Sequence, residues 1–393
     1  MCRWPTARLR APALAFALAL LGAAASSSPS ACPCADPALC RPLSGEMPFE
    51  VLVFDVGGTD WKHYDWSKVT TIAAFGAYNP ELLCHAHAND VRVVLKGDVP
   101  IKDIIDPANR TAWIIDQVNL AKRQFMDGIN LDLEEAVEFK SQGYYALTQL
   151  VNETTQIFHR EIPGSQASNF AAVESQLDAF RRGEKIWSKV TFDVAWKPGC
   201  VDGRCYDYAS IAHSCDFIFV MSYDMQSQIW GDCIAKANAP YNQTLAGYDA
   251  YLKLGIPSSK LVMGVPWYGY NYPCIYLLEA GKCVIQSIPF RGAPCSDLAG
   301  PQVPYKWIMQ QLPKSISGRF WDDDQEAPYF VYKVNGTYHE VWYDDPQSIS
   351  MKASLIKKLN LRGIGMWNGN LLDYVDPSAA MQTKAMWQAL YPF

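Results

Sequence analysis

The sequence predicts an α/β protein: a closed (β/α)8 TIM barrel with a small α+β insertion between strands 7 and 8. Three observations carry this. Eight short apolar runs recur along the 393 residues, most of them followed by a helical pattern. Most of the runs are continuous, as strands buried on both faces of a parallel sheet read. One run, residues 126–136, alternates strictly, with Asn130, Asp132 and Glu134 set between Ile129, Leu131 and Leu133. In a strand that spacing puts the three polar groups on one face. An inward row of amide and carboxyls is costly to bury, so it marks a site. In a parallel barrel Glu134 then stands at the C-terminal end of its strand, where barrel enzymes do their chemistry.

Taken in order, residues 1–25 read as a signal peptide. Arg3, Arg8 and Arg10 give a basic start, residues 11–21 are apolar, and Gly22, Ala23, Ala24 and Ala25 offer a small-residue cleavage region. The apolar run is too short to span a bilayer, and no later run qualifies. Residues 26–48 form a Cys-rich leader, and the catalytic domain is expected over 49–393. Strands are predicted at 49–56, 70–75, 91–95, 126–136, 190–196, 217–223, 261–268 and 363–367. Helices are predicted at 107–125 (Trp113, Ile114, Val118, Ala121), 144–160 (Leu147, Leu150, Val151, Phe158), 245–254, 348–359 and 381–390. Two segments break the rhythm. Residues 167–189 are polar and fall in an αβ loop, the end of a barrel remote from catalysis. Residues 270–345 are aromatic-rich, and Asn335-Gly336 between Phe330, Tyr332, Tyr338 and Trp342 signals a hairpin.

Composition bounds the partners. The formal charge is −6, and losing the three signal-peptide arginines takes it to about −9. An acidic chain is a poor nucleic-acid binder. Of the 12 Cys, Cys2 leaves with the signal. An odd number in the secretory route requires a free thiol or an intermolecular bond. Three groups stand out: Cys32, Cys34 and Cys40; Cys200, Cys205, Cys215 and Cys233; Cys274, Cys283 and Cys295. Pairing between neighbours within groups is expected, with Cys32-Pro33-Cys34 a loop staple. Sequons at Asn109, Asn152, Asn242 and Asn335 predict a glycoprotein. Asp127, Asp132 and Glu134 could also be weighed as ligands for a hard divalent cation. The stretch lacks the Gly of an EF-hand loop, His is scarce, and no Gly-rich phosphate loop follows a strand. No metal and no cofactor is expected.

The residues 127–134, DGINLDLE, resemble the D-G-x-[DN]-x-D-x-E signature of glycoside hydrolase family 18, the chitinase family. Met221-Ser222-Tyr223-Asp224 is similar to the family's M-x-Y-D at the end of strand 6. Gly264-Val265-Pro266-Trp267-Tyr268-Gly269 is similar to its strand 7 motif, and Trp367 to the strand 8 tryptophan that floors the sugar site. The resemblance runs from about residue 49 to the C-terminus. Two departures stand out: most members carry Asp where this chain has Asn130, and Leu95-Lys96-Gly97-Asp98 replaces the usual strand 3 S-x-G-G.

The resemblance implies roles. Glu134 is the proton donor, expected against aromatic walls that keep it protonated. The substrate's own N-acetyl group is the nucleophile. Asp132 accepts from the acetamido N–H, and the Tyr223 hydroxyl donates to its carbonyl oxygen. Asn130 and Asp127 support Asp132, although an amide at Asn130 cannot share a proton with Asp132. Met221 and Asp224 contact the sugar and Trp367 stacks beneath it; Trp267 and Trp230 are weaker candidates. The partners implied are N-acetylglucosamine-containing oligosaccharides, bound by a monomer with no membrane attachment. Segments such as VFDVG, SYDMQSQIW and FRGAPCSD are similar to the lysosomal branch of the family, which cleaves the chitobiose core left from asparagine-linked glycans. The rivals are a secreted chitinase, an endo-N-acetylglucosaminidase, and a non-catalytic chitin-binding lectin on the same scaffold. Glu134 argues against the last.

Overall fold

A computed structural model describes residues 31–43, 47–162, 188–229, 231–278 and 281–391. Eight parallel strands close into a barrel. They are β1 (Glu50–Asp55), β2 (Thr71–Ala74), β3 (Arg92–Gly97), β4 (Gly128–Leu131), β5 (Lys189–Ala195), β6 (Phe217–Met221), β7 (Leu261–Pro266) and, last in the chain, β15 (Gly363–Trp367). Strand β15 lies between β1 and β7 and seals the ring.

Alternation divides the core into two layers. Val51, Val53, Ile129, Leu131, Val190 and Phe192 point outward and pack on the helices. Leu52, Phe54, Val94, Phe217, Phe219 and Val262 fill the interior. Phe219 occupies the barrel axis because two neighbours are glycines. A Cβ on Gly264 would sit 2.7 Å from its ring, and one on Gly365 2.9 Å from it. The predicted helices appear at Pro107–Gln124, Gln142–Glu161, Tyr241–Lys253, Pro346–Leu359 and Ala380–Ala389. A helix at Pro80–Ala88, capped by the Asn79 side chain, is an addition to the sequence reading.

The insertion after β7 begins earlier than predicted. Strand β7 stops at Pro266, and a separate strand, β8 (Tyr268–Pro273), starts two residues on. A short pair, β9 (Tyr276–Leu277) and β10 (Cys283–Val284), follows. Strands β11 (Gln302–Pro304), β12 (Phe320–Asp322), β13 (Ala327–Val334) and β14 (Thr337–Trp342) then build an antiparallel sheet in the order β11-β8-β14-β13-β12. The β13–β14 turn is Asn335-Gly336, both with positive φ, as a tight hairpin requires.

The disulfides correct the expected pairing. Cys32–Cys40, Cys200–Cys205 and Cys274–Cys283 stay within their groups, but Cys34 pairs with Cys84, which lies outside all three, and Cys233–Cys295 crosses from the second group to the third. Proximity in sequence says nothing of loops that meet only in the folded barrel. Among the described residues Cys215 is the free thiol, buried and inert: burial pushes it up to about 12.

Asp127 departs most from its expected role. It precedes β4 at the N-terminal end of the barrel, fully buried, and accepts from the Val93 N–H and the Leu43 N–H. Five residues separate it from Asp132, about 16 Å along a strand. It cannot touch a sugar at the other end. Instead it anchors the leader through His87, whose Nε2 lies 2.9 Å from Asp127 Oδ2 and whose Nδ1 lies 2.6 Å from Leu39 O. Both ring nitrogens face acceptors, so the imidazolium satisfies both contacts and a neutral ring only one. Burial lowers the His87 pKa, but Asp127 and Leu39 outweigh it and hold it above 6.5. The stability this pair contributes is fully present below the unfolded value and is lost as pH rises through the folded one. The stabilities of wild type and His87→Gln should therefore differ most near pH 5, by about 1–3 kcal/mol, and the difference should shrink as pH rises past the ordinary histidine value. A constant difference across that range would refute the assignment.

The expected insert, 167–189, lies outside the described residues except for its end. Ser188 precedes β5 and Lys189 is its first residue, buried rather than looped. Ser188 N–H donates to Ile162 O at 3.3 Å, so the chain leaves and returns at one point on the N-terminal end of the barrel. Deleting 163–187 with a short turn in its place should leave kcat within about twofold of wild type. A folded but inactive deletion would contradict this.

Candidate active site

Strand β4 delivers the alternating row to the mouth of the barrel. Asn130 lies deepest, fully buried, and donates from Nδ2 to Thr191 Oγ1 at 2.9 Å and Asp193 Oδ1 at 2.8 Å. It is therefore below the reach of a sugar and acts on strand β5. Asp132 comes next, half-buried. Burial first, and Glu134 second, push its pKa up to about 7, against the opposing pull of Lys96. Glu134 tops the row with its side chain 53% exposed, and it accepts from Arg204 Nη1 at 2.7 Å. Aromatic side chains, Trp196, Tyr223 and Tyr270, do line the same cleft, but the acid itself stands open at the mouth beside a guanidinium.

Strand β6 brings its own pair. Tyr223 is buried in the mouth. Burial raises its pKa far above the usual phenol value, and Asp193, Asp224, Glu134 and Asp132 raise it further. The phenol keeps its proton and can only donate to an incoming oxygen lone pair, or accept into its own. Asp224 follows with φ 55°. Its N–H donates to Asn238 Oδ1 at 2.7 Å, and its Oδ1 accepts from Tyr268 at 2.6 Å and Tyr270 at 2.7 Å. From β15, Trp367 packs on Phe54 and Phe75 with centroids 5.4 and 5.6 Å away.

Glu134, Met221, Tyr223 and Asp224 line one cleft of about 270 Å³, together with Trp196, Asp202, Arg204, Tyr270, Asp297 and Gln302. Trp267 is fully buried against Trp387 and belongs to packing. Trp230 lies outside the described residues. Two disulfides brace the cleft walls: Cys200–Cys205 closes the loop that carries Asp202 and Arg204, and Cys233–Cys295 ties the segment after β6 to the loop before Asp297. Arg291 Nη1 donates to Asp202 O and joins these walls. Asn109, Asn242 and Asn335 are exposed at the surface, and Asn152 is half-buried on its helix.

Several of these residues left a readable sequence trace. Asp193 and Thr191 stand at period two between Val190, Phe192 and Val194, the same alternation as in the fourth strand. Tyr268, Tyr270 and Tyr272 stand at period two. Arg204 adjoins Cys205, and Asp297 follows Cys295 by two. Asp297 is buried, and burial with Asp224 pushes it up to about 7. Its oxygens accept from Tyr272 and Ser227, each at 3.2 Å.

Inward carboxyls on one strand of a parallel barrel, a protonated phenol facing them and a bracing insertion after β7 define a glycosidase-type barrel. The family model of glycosyl hydrolases family 18 matches residues 59–370, and the chain belongs to that family. It is 58% identical over 363 residues to the di-N-acetylchitobiase of Homo sapiens, covering 92% of this chain and 88% of that one. Against the di-N-acetylchitobiase of Mus musculus the figures are 56% over 379 residues, 96% and 97%. A probable di-N-acetylchitobiase 2 of Dictyostelium discoideum is 38% identical, covering 92% and 90%. Among solved structures, a class V chitinase mutant from Nicotiana tobaccum in complex with NAG4 superposes with a TM-score of 0.63. Its identity is 19%, with 88% of this chain and 99% of that one covered. That similarity bears on the fold alone.

Proposed function

We propose that this chain is a lysosomal glycosidase that hydrolyses the β-1,4 bond of the N,N'-diacetylchitobiose core of asparagine-linked oligosaccharides. Catalysis is substrate-assisted and retains configuration. The observation that carries this reading is the grouping of Glu134, Asp132 and Tyr223, close enough to perturb one another, at one barrel mouth in a chain 58% identical to a di-N-acetylchitobiase.

Glu134 protonates the glycosidic oxygen, a poor leaving group without it. Its mouth position gives an incoming sugar access, and the substrate displaces Arg204 from it. Asp132 accepts from the acetamido N–H, and Tyr223 donates to the acetamido oxygen, which holds that oxygen for attack on the anomeric carbon. Met221, Asp224 and the ring of Trp367 hold the sugar. The acid site, the signal-like residues 1–25 and the sequons at Asn109, Asn152, Asn242 and Asn335 fit a glycoprotein delivered to the lysosome, acting as a monomer.

End-labelled chito-oligosaccharides of defined length test the substrate assignment. Release of N-acetylglucosamine from the disaccharide, with the β anomer formed first, is the expected result. Cleavage confined to long internal bonds would make it a chitinase or endo-enzyme, and tight binding without turnover a lectin.

A further inference from the structure

Strand β5 places a second carboxyl beside Asp132. The β4–β5 register pairs Asn130 with Thr191 and Leu131 with Phe192. One step further sets Asp132 next to Asp193, with backbones about 5 Å apart across neighbouring strands. Asp193 is buried and has no path to a sugar. Both Nδ2 hydrogens of Asn130 are committed to strand β5, one to Thr191 and one to Asp193 Oδ1, and this fixes the Asp193 side chain in the barrel.

Two carboxyls on adjacent strands, one of them buried, strongly disfavour ionising together. Burial, then Asp132, push the Asp193 pKa well above its ordinary value, while Asp132 itself is pushed up to about 7. The other charges facing the pair are Lys96 and Asp98 from β3 and its following turn, Glu134 above Asp132, and Arg204 from the disulfide-closed loop; Tyr223 faces it from just after β6. Lys96 lowers both carboxyls, but its Nζ also pairs with Asp98 Oδ2 at 3.7 Å, so its single charge does not offset two carboxylates here.

We propose that Asp193 is a positioning residue that stores the proton Asp132 must give up in order to accept from the acetamido N–H. This rests on the substrate-assisted reading above. In the resting pair one proton is shared. When the acetamido group arrives, the O–H bond on Asp132 breaks and one forms on Asp193. When water opens the oxazolinium, the proton returns. The pair carries one negative charge before and after, and Asp193 forms no bond to substrate. Most family members carry Asp at the position of Asn130. Here the second carboxyl stands on β5 instead, and Asn130 orients it.

The test compares wild type, Asp193→Asn, and the swap Asn130→Asp/Asp193→Asn. An amide at 193 offers a fixed N–H donor and takes no proton. The expected kcat loss is about 10- to 10²-fold with KM within about threefold. The acid limb of the kcat profile should move down by about one pH unit, because a permanent donor favours the Asp132 carboxylate. The swap restores a carboxyl–amide pair and should recover about tenfold of the loss. Infrared difference spectra, wild type minus variant near pH 6, should show one buried protonated carboxyl lost; signals from carboxyls common to both, Asp297 among them, cancel. An unmoved acid limb, or carboxylate signals from both Asp132 and Asp193 in wild type throughout pH 5–8, overturns the proposal. If Asp193→Asn does not fold, the swap and isotope-edited spectra of wild type decide. The spectra need no substrate, so an inactive wild type would count against the hydrolase reading and leave this inference separately decidable.

Discussion

Glu134→Gln should lower kcat by about 10²- to 10⁴-fold while leaving ligand binding within a few-fold of wild type. The amide keeps the shape of the side chain and can still accept from Arg204, whose Nη1 lies 2.7 Å from Glu134 Oε2. It has no acidic proton, so the leaving oxygen departs as an alkoxide. The loss should fall as substrates are given better leaving groups, because an activated aglycone needs less protonation. Nitrophenyl and natural disaccharide substrates measured side by side provide that comparison. A variant with wild-type turnover on the disaccharide would remove Glu134 from the mechanism. A variant that loses binding as well would mean that its partnership with Arg204 holds the cleft in shape. Circular dichroism and binding of a non-hydrolysable oligosaccharide separate those cases.

The barrel was legible in sequence because burial on both faces writes a simple signal. Runs such as FEVLVFDV and FIFVMSY need no partner to be recognised as parallel strands. Strand ends were harder. The seventh run continues through Tyr268, yet Pro266 ends β7 and the next tyrosines join another sheet; hydrophobicity does not record which sheet a residue joins. The alternating row exposed Glu134, Asp132 and Tyr223's partners by chemistry, but position along the row decides role. Asp127 and Glu134 belong to the same eight-residue motif, and a strand carries them to opposite ends of the barrel. Arg204 and Asp297 reach the cleft from loops whose placement depends on Cys200–Cys205 and Cys233–Cys295. Those bridges close only after folding, so spacing alone could not deliver either residue to the acid.

Removing the N-acetyl group from the sugar on the non-reducing side of the bond should cost at least about 10³-fold in kcat/KM, or roughly 4 kcal/mol. A retaining enzyme with its own nucleophile would hold a second carboxylate about 5 Å from the acid, across the sugar. Asp132 lies two residues before Glu134 on the same face, about 6–7 Å back along the strand, and so flanks the acid from below. The carboxylates across the cleft are engaged elsewhere: Asp224 accepts from Tyr268 and Tyr270, and Asp297 from Tyr272 and Ser227. What the mouth offers is an acceptor, Asp132, and a phenol that retains its proton, Tyr223. Those suit the N–H and oxygen of one acetamido group. Holding that oxygen below the anomeric carbon makes the attack intramolecular and leaves the charge on an oxazolinium beside Asp132. The matched pair of substrates, N-acetyl against hydroxyl at C2, measures the contribution directly. A thiazoline mimic of the intermediate should inhibit strongly, and Tyr223→Phe should weaken that inhibition as it slows turnover. Equal turnover of the two substrates, or a 2-fluoro sugar trapped covalently on Asp132, Asp224 or Asp297, would show that the enzyme supplies the nucleophile itself.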